Sequence, residues 1–211
     1  MTNFIHIFPL TIVVFPGEDV NLHIFEPRYK QLIKECFSDA KPFGIPPVIK
    51  ERMGEIGTKV KVQEIVKVYD TGEMDIRVRG LTAFRILEVI KRIPEKLYSG
   101  AIVNYPEADD GGSLKLMKDV LTSLREMHSL LKINKRFKQE DHHLTSFDIA
   151  HHAGLSLEQE LELLGLTREL HRQEYLKRHL RSLISTIKET EALKERVKLN
   201  GHFKQPGSLD L

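Results

Sequence analysis

Two adjacent pairs of histidines, His142-His143 and His151-His152, stand close to Glu140, Asp141 and Asp148 and are the side chains best suited to chemistry. Imidazoles and carboxylates in one short stretch are ligands for zinc and similar divalent ions. Neighbouring residues on a helix point to different sides, however, so each pair can offer one ligand to any single site. Solvent-facing or helix-capping histidines are therefore expected, and no metal or other cofactor. A second cluster, Lys132-Ile133-Asn134-Lys135-Arg136-Phe137-Lys138, interleaves cations with one aromatic ring, as nucleic-acid contacts do. It also falls where a helix should end, where cations favour the dipole, and Glu140-Asp141 follow at once. No glycine-rich loop ending in Gly-Lys-Ser/Thr occurs, so nothing is expected to cradle nucleotide phosphates. Phe25, Tyr29, Phe43 and Tyr105 fall at expected strand ends or near the expected domain junction. An apolar groove there would accept extended or unfolded protein segments, and these four are its candidate contacts. Glu26 and Arg28 are expected to pair with each other or with Arg79 and Arg85.

The elements that must position these residues follow from periodicity. Residues 4–8 and 11–15 are apolar and β-prone, each run closed by a proline that cannot donate to a ladder. Pro16-Gly17 is turn chemistry. Val20, Leu22 and Ile24 alternate with polar residues as a half-buried strand does. At Pro27 the period changes: Tyr29, Leu32, Ile33, Cys36 and Phe37 trace the apolar stripe of a helix over 27–37 with proline in its first turn. Cys36, the sole cysteine, lies on that stripe and reads as packing. Residues 43–49 hold Pro46-Pro47 and can form only an edge or broken strand. A strand over 59–69 slips its alternation at Gln63-Glu64-Ile65, which predicts a bulge. Residues 70–73 make a hairpin loop. Met74, Ile76 and Val78 then face inward, Gly80 bends the chain into 84–90, and residues 98–105 form a last strand.

Residues 106–112 are acidic and glycine-rich and mark a boundary. Beyond them the period is helical. Ser113 is a candidate N-cap, followed by the stripe Met117, Val120, Leu121, Leu124, Met127 and Leu131. Thr145-Ser146-Phe147-Asp148 is a capping signal for a short helix ending near Gly154, and Ser156-Leu157-Glu158-Gln159 a full capping box for a helix closed by Gly165. Thr167 opens a long final helix with Leu170, Leu176, Leu180, Leu183, Ile184 and Ile187 apolar. From Lys188 to Lys198 charges dominate, and a frayed tail is expected from Gly201. The expected organisation is a β-domain over 1–108, a linker at 109–112, a helical bundle over 113–199 and a flexible tail over 200–211.

With 211 residues, 41% hydrophobic and 29% charged, the composition is that of an ordinary globular protein. The 32 basic and 30 acidic side chains nearly cancel, which argues against a dedicated nucleic-acid binder. One cysteine allows no intrachain disulfide. The opening Met-Thr-Asn-Phe-Ile-His lacks the basic start and apolar core of a secretory leader, and no apolar run is long enough to span a membrane. A cytoplasmic location is expected, with no membrane partner.

Taken together, Phe8-Pro9-Leu10, Val13-Val14-Phe15-Pro16-Gly17 and Leu22-His23-Ile24-Phe25-Glu26-Pro27-Arg28-Tyr29 resemble the opening signature of the Lon protease N-terminal, substrate-binding domain, in the form carried by small stand-alone Lon-N-like proteins. The resemblance continues through Phe43-Gly44-Ile45 and Gly80-Leu81-Thr82-Ala83-Phe84-Arg85-Ile86. A second block, Leu155-Ser156-Leu157-Glu158-Gln159-Glu160-Leu161-Glu162-Leu163-Leu164, is similar to the family's helical part. The resemblance implies an α+β fold, a PUA-like mixed β-barrel followed by a C-terminal helical bundle. It also implies recognition of unfolded or extended protein segments, with a protease or a chaperone as partner and an adaptor role in proteolysis or quality control. The family's full protease continues into an ATPase and a Ser-Lys protease. Neither motif is in this sequence, and Gly207-Ser208 lacks the neighbours of the family's nucleophile, so no enzyme is expected and a peptidase label would rest on homology alone. Pro46-Pro47 departs from the family's more continuous strand. A PUA-like RNA-binding module is the alternative function, and monomer and homodimer both stay open.

Overall fold

The computed structural model describes residues 3–135, 137 and 139–201, the last four of them as backbone only. The strands are β1 (Asn3–His6), β2 (Asp19–Ile24), β3 (Phe43–Ile45), β4 (Val48–Ile49), β5 (Arg52–Met53), β6 (Ile56–Val68), β7 (Met74–Ile90) and β8 (Gly100–Asn104), with helix α1 (Pro27–Ser38) after β2. Helices α2 (Leu114–Leu130), α3 (Ser146–Ile149), α4 (Leu157–Gly165) and α5 (Glu169–Gly201) follow. This is an α+β fold with a strand-rich first part and a helical second part.

The main sheet runs β1-β8-β7-β6-β3, with β2 on β7 as well. Its two ends meet through a parallel bridge between Ile7 and Gly44, where the Phe8 N–H donates to the Gly44 carbonyl at 2.8 Å. The long β6–β7 hairpin forms because Val60, Val62, Met74, Ile76 and Val78 alternate inward. Its register shifts three times, once between Val62 and Glu64, where the sequence alternation slips. Pro46-Pro47 divides the 43–49 run into β3 and the small β4–β5 hairpin, as two residues without N–H donors should.

Helix α1 starts at Pro27 and seals the sheet's inner face with Tyr29, Leu32, Ile33 and Cys36. Phe37, expected on that stripe, is exposed. At 100° per residue it lies about 80° from Tyr29, on the margin of a stripe centred between Leu32 and Ile33.

Residues 11–15 form no strand, contrary to the sequence reading. Val14 enters the sheet core beside Ile24 and Val60, whereas Val13 and Phe15 enter the helical core with Leu124, Leu176 and Leu180. The run is apolar because it separates two cores, not because it pairs with a neighbour. Gly17, at φ +85°, donates to the Gly80 carbonyl at 2.9 Å, and Gly80 donates to the Glu18 carbonyl at 2.8 Å. A Cβ on Gly80 would lie 2.1 Å from the Phe15 carbonyl oxygen, so only glycine lets these backbones meet.

In the helical part Ser113 caps α2, its hydroxyl accepting from the Leu116 N–H at 3.3 Å, and the expected stripe is buried as far as Met127. Leu131 is instead the exposed C-cap residue. Capping boxes at Thr145/Asp148 and Ser156/Gln159 open α3 and α4. Helix α5 is 33 residues, about 50 Å at its helical rise. It buries Leu176, Leu180 and Ile184, and from Lys188 to Val197 its side chains are exposed. The expected tail lies outside the described residues apart from the backbone of its first two residues, and Gly207-Ser208 lies wholly outside them. Among the described residues no helix is long and apolar enough to cross a membrane.

Candidate functional site

A cavity of about 530 Å³ opens between the sheet and the helices. Its apolar wall comes from Ile56 of β6, Leu81 and Phe84 of β7, Phe147 of α3, and Leu164 and Leu166 at the α4–α5 elbow. The volume lies within the range of ligand-binding clefts, about 300–1,000 Å³. A second hollow of about 490 Å³ adjoins it, the two sharing Asp110, Thr145 and Glu169, and runs on toward the start of α2.

The polar groups of the groove are held by the first turn of α5. Arg172 donates from Nε to Glu169 Oε2 at 2.8 Å, from Nη1 to the Leu166 carbonyl at 2.8 Å and from Nη2 to Asp110 at 3.2 Å. Its guanidinium lies 4.4 Å from the centre of the Phe147 ring. The other Glu169 oxygen accepts from the Ser146 N–H at 2.9 Å, the Ser146 hydroxyl at 2.8 Å and Gln173 at 3.2 Å. Arg172 and Glu169 are each only 4% exposed, so this ion pair survives burial because nearly every lone pair is used. Asn104 differs: its Oδ1 is buried at the groove with no hydrogen-bond partner among the described residues.

A second polar contact ties the two parts together. His151 Nδ1 lies 2.7 Å from Glu160 and Nε2 lies 3.2 Å from Glu18, with the Phe15 ring 4.9 Å away. Burial opposes charging this imidazole, but hydrogen bonds to Glu160 and Glu18 and the charges of both outweigh it, pushing the pKa up to about 10. His151 is thus a cation clasping the β2 entry turn to α4. His152 packs edge-on against Phe137 at 5.5 Å and is pushed down by burial and by Lys135. His142 and His143 are exposed and lie with tilted rings 3.9 Å apart at the second hollow. Among the described residues no group of three or more His, Cys, Asp or Glu is placed to hold a metal ion. The basic 132–138 stretch falls partly outside the described residues, at Arg136 and Lys138.

The four aromatic residues singled out from sequence are not brought together. Phe43 is 0% exposed and Tyr29 is buried against Phe8 at 3.9 Å, both within the sheet core, so Phe43 offers a ligand no surface. Tyr29 reaches the edge of a separate hollow of about 300 Å³ beside Pro9 and Tyr98. Phe25 is 59% exposed at the end of β2, where it stacks on His23 at 6.2 Å. Tyr105 is half-buried with the Lys59 ammonium 4.3 Å over its ring. Glu26 pairs with Arg28 at 2.7 Å, while Arg79 and Arg85 pair with Asp19 and Glu55.

A family model described as the ATP-dependent protease La (LON) substrate-binding domain matches residues 5–202. The chain belongs to the Lon substrate-binding domain family. A Lon N-terminal domain protein from Xanthomonas campestris, 24% identical, shares the fold with a TM-score of 0.63 over 82% of this chain and 96% of its own. The N-terminal domain of a Lon protease from the Mycobacterium avium complex, 16% identical, matches with a TM-score of 0.61 over 85% of this chain and 98% of its own. A comparison with curated proteins finds no match. In this Lon-type chain the opening signature is the segment that threads both cores and carries Glu18 to His151.

Three groups at the groove were not singled out from sequence. Glu169 and Arg172 carry a usable signal, an acid and a base at i, i+3 in a helix's first turn. Asn104 carries none, because an unmatched oxygen is a property of packing alone.

Proposed function

We propose that this Lon substrate-binding domain chain is a non-catalytic recognition protein that takes up unfolded or extended protein segments in the groove between sheet and helices. Its role is that of an adaptor in cytoplasmic proteolysis or quality control, handing segments to a protease or chaperone. The observation that carries this reading is the groove's lining. Six apolar side chains from the sheet, α3 and the elbow form its wall, and the charged groups at its rim are engaged with one another, Arg172 with Glu169 and Asp110, Arg85 with Glu55. Such a surface favours apolar, uncharged chain over phosphate or carboxylate ligands. Phe25 and Tyr105 are the competing location for the same activity, as accessible aromatic rings on separate surfaces.

The test is binding of the purified full chain to a random peptide array at low and high salt. Capture of apolar peptides that persists at high salt supports segment recognition. Capture restricted to low salt points to the alternative, a nucleic-acid-binding module, because phosphate contacts weaken steeply as salt rises. Absence of capture at both salts contradicts the reading.

A further inference from the structure

The groove contains an unfilled place in the sheet. Strand β2 covers one side of β7 from Met74 to Arg79, and the turn before β2 then takes both hydrogen bonds of Gly80. Strand β8 covers the same side only from Arg85, opposite Asn104, to Ile90. Between them Leu81 to Phe84 have β6 on one side and, among the described residues, no strand on the other. That window forms one wall of the groove.

The backbone there is set to accept a neighbour. The Ile86 N–H bonds to the Glu55 carbonyl, on the β6 side of β7. Alternation along the strand therefore turns the Ala83 N–H and C=O away from β6 and into the gap. The Ala83 carbonyl has only a 3.5 Å approach from the Thr82 hydroxyl, a distance too long to satisfy it. At the far end of the window Asn104, the last residue of β8, holds an Oδ1 with no partner among the described residues. The Ala83 carbonyl and N–H thus face a cleft walled by Phe147, Leu164 and Leu166, with Asn104 Oδ1 buried at its end.

We propose that an extended, uncharged polypeptide segment adds to β7 at Leu81 to Phe84 as an extra strand. Its N–H groups donate to the Ala83 carbonyl and, once the Asn104 side chain rotates into the cleft, to its Oδ1, and one of its carbonyls accepts from the Ala83 N–H. Alternate side chains of the segment lie against the apolar wall, which selects valine, isoleucine or leucine at every second position, while the charged groups beside it already have partners, Arg172 with Glu169 and Asp110 and Arg85 with Glu55. This inference rests on the segment-recognition reading above and specifies its geometry: affinity comes from main-chain hydrogen bonds, and sequence preference is loose.

The experiment uses the full chain and the acetylated, amidated heptapeptide Gly-Val-Thr-Val-Thr-Val-Gly, with a set of analogues each N-methylated at one backbone nitrogen. Binding is followed by calorimetry, and exchange of the Ala83 amide by NMR. Strand addition predicts that N-methylation weakens binding by about tenfold at the two nitrogens that donate to the Ala83 carbonyl and Asn104 Oδ1 and little at the others. It also predicts slowed Ala83 exchange in the complex and at least a several-fold loss of affinity in Asn104→Leu at unchanged thermal stability. Should Asn104→Leu fail to fold, the analogue series on the unaltered chain decides. Binding that is indifferent to N-methylation, with Ala83 exchange unchanged, overturns strand addition but leaves segment recognition standing. Failure of the peptide and of apolar array peptides alike to bind overturns both.

Discussion

Removing Arg172 should expose how the groove is held. In Arg172→Met the aliphatic stem is kept and the guanidinium is lost. Glu169, 4% exposed, then loses its cationic partner while still largely buried, and the Leu166 carbonyl loses its donor. Breaking one side of a buried, hydrogen-bonded pair costs about 3–5 kcal/mol, most of it the stranded charge. Adding Glu169→Gln removes that charge while keeping an acceptor for Ser146 and Gln173, so the double variant should recover much of the loss. Urea unfolding of the four proteins of this cycle gives the coupling directly, and a favourable coupling of about 2 kcal/mol or more is expected between sites in contact. With a urea slope of about 1–3 kcal/mol per molar, the single variant should lose at least about 1 M in midpoint. A cost below about 1 kcal/mol for Arg172→Met, or strict additivity in the double variant, would refute the claim that this pair is a closed, buried unit.

Other consequences are equally specific. The His151 clasp has a folded-state pKa pushed up to about 10, above the unfolded value near 6.5, so its contribution is complete below about pH 6.5 and is lost as pH rises toward 10. His151 is 35% exposed, so screening limits the effect to about 1–2 kcal/mol, and thermal unfolding from pH 6 to 10 should show a decline that His151→Gln flattens. An equal decline in the variant would assign it elsewhere. Gly80→Ala places a methyl 2.1 Å from the Phe15 carbonyl oxygen and should cost about 2 kcal/mol or more, read as a drop in thermal midpoint. Cys36, buried and pushed up to about 11 by burial and by Glu35 and Asp39, should resist iodoacetamide at pH 8 until urea unfolds the protein. Rapid labelling of the folded chain would contradict its burial.

The parts of the fold legible in the sequence were those whose cause is local. Ser113 and Ser156 announce helix starts because a hydroxyl three residues ahead of a free N–H is a complete interaction in itself. The β6–β7 hairpin, its slip near Gln63 and the break at Pro46-Pro47 are legible because alternation and missing donors act on neighbours. The 11–15 run misleads because consecutive apolar residues fit a strand and equally fit a wedge between two cores. An aromatic ring near a strand end does not report its depth either, and Phe43 and Tyr29 are both buried in the sheet core. The groove could not be read at all. Its walls come from residues around 56, 81–85, 104–110, 145–147 and 164–172, which only the tertiary fold assembles.

Extended protein segments are expected to bind in the groove rather than on the separate aromatic surfaces. The most direct measurement is the affinity of an apolar heptapeptide, by fluorescence anisotropy, for the unaltered chain, Leu81→Glu and Phe25→Ala. Leu81 is partly exposed at the groove wall, so a carboxylate there should spare the fold and leave a charge facing an apolar ligand. Binding in the groove predicts at least about a tenfold loss for Leu81→Glu and little change for Phe25→Ala. Full affinity in Leu81→Glu with loss in Phe25→Ala would contradict it.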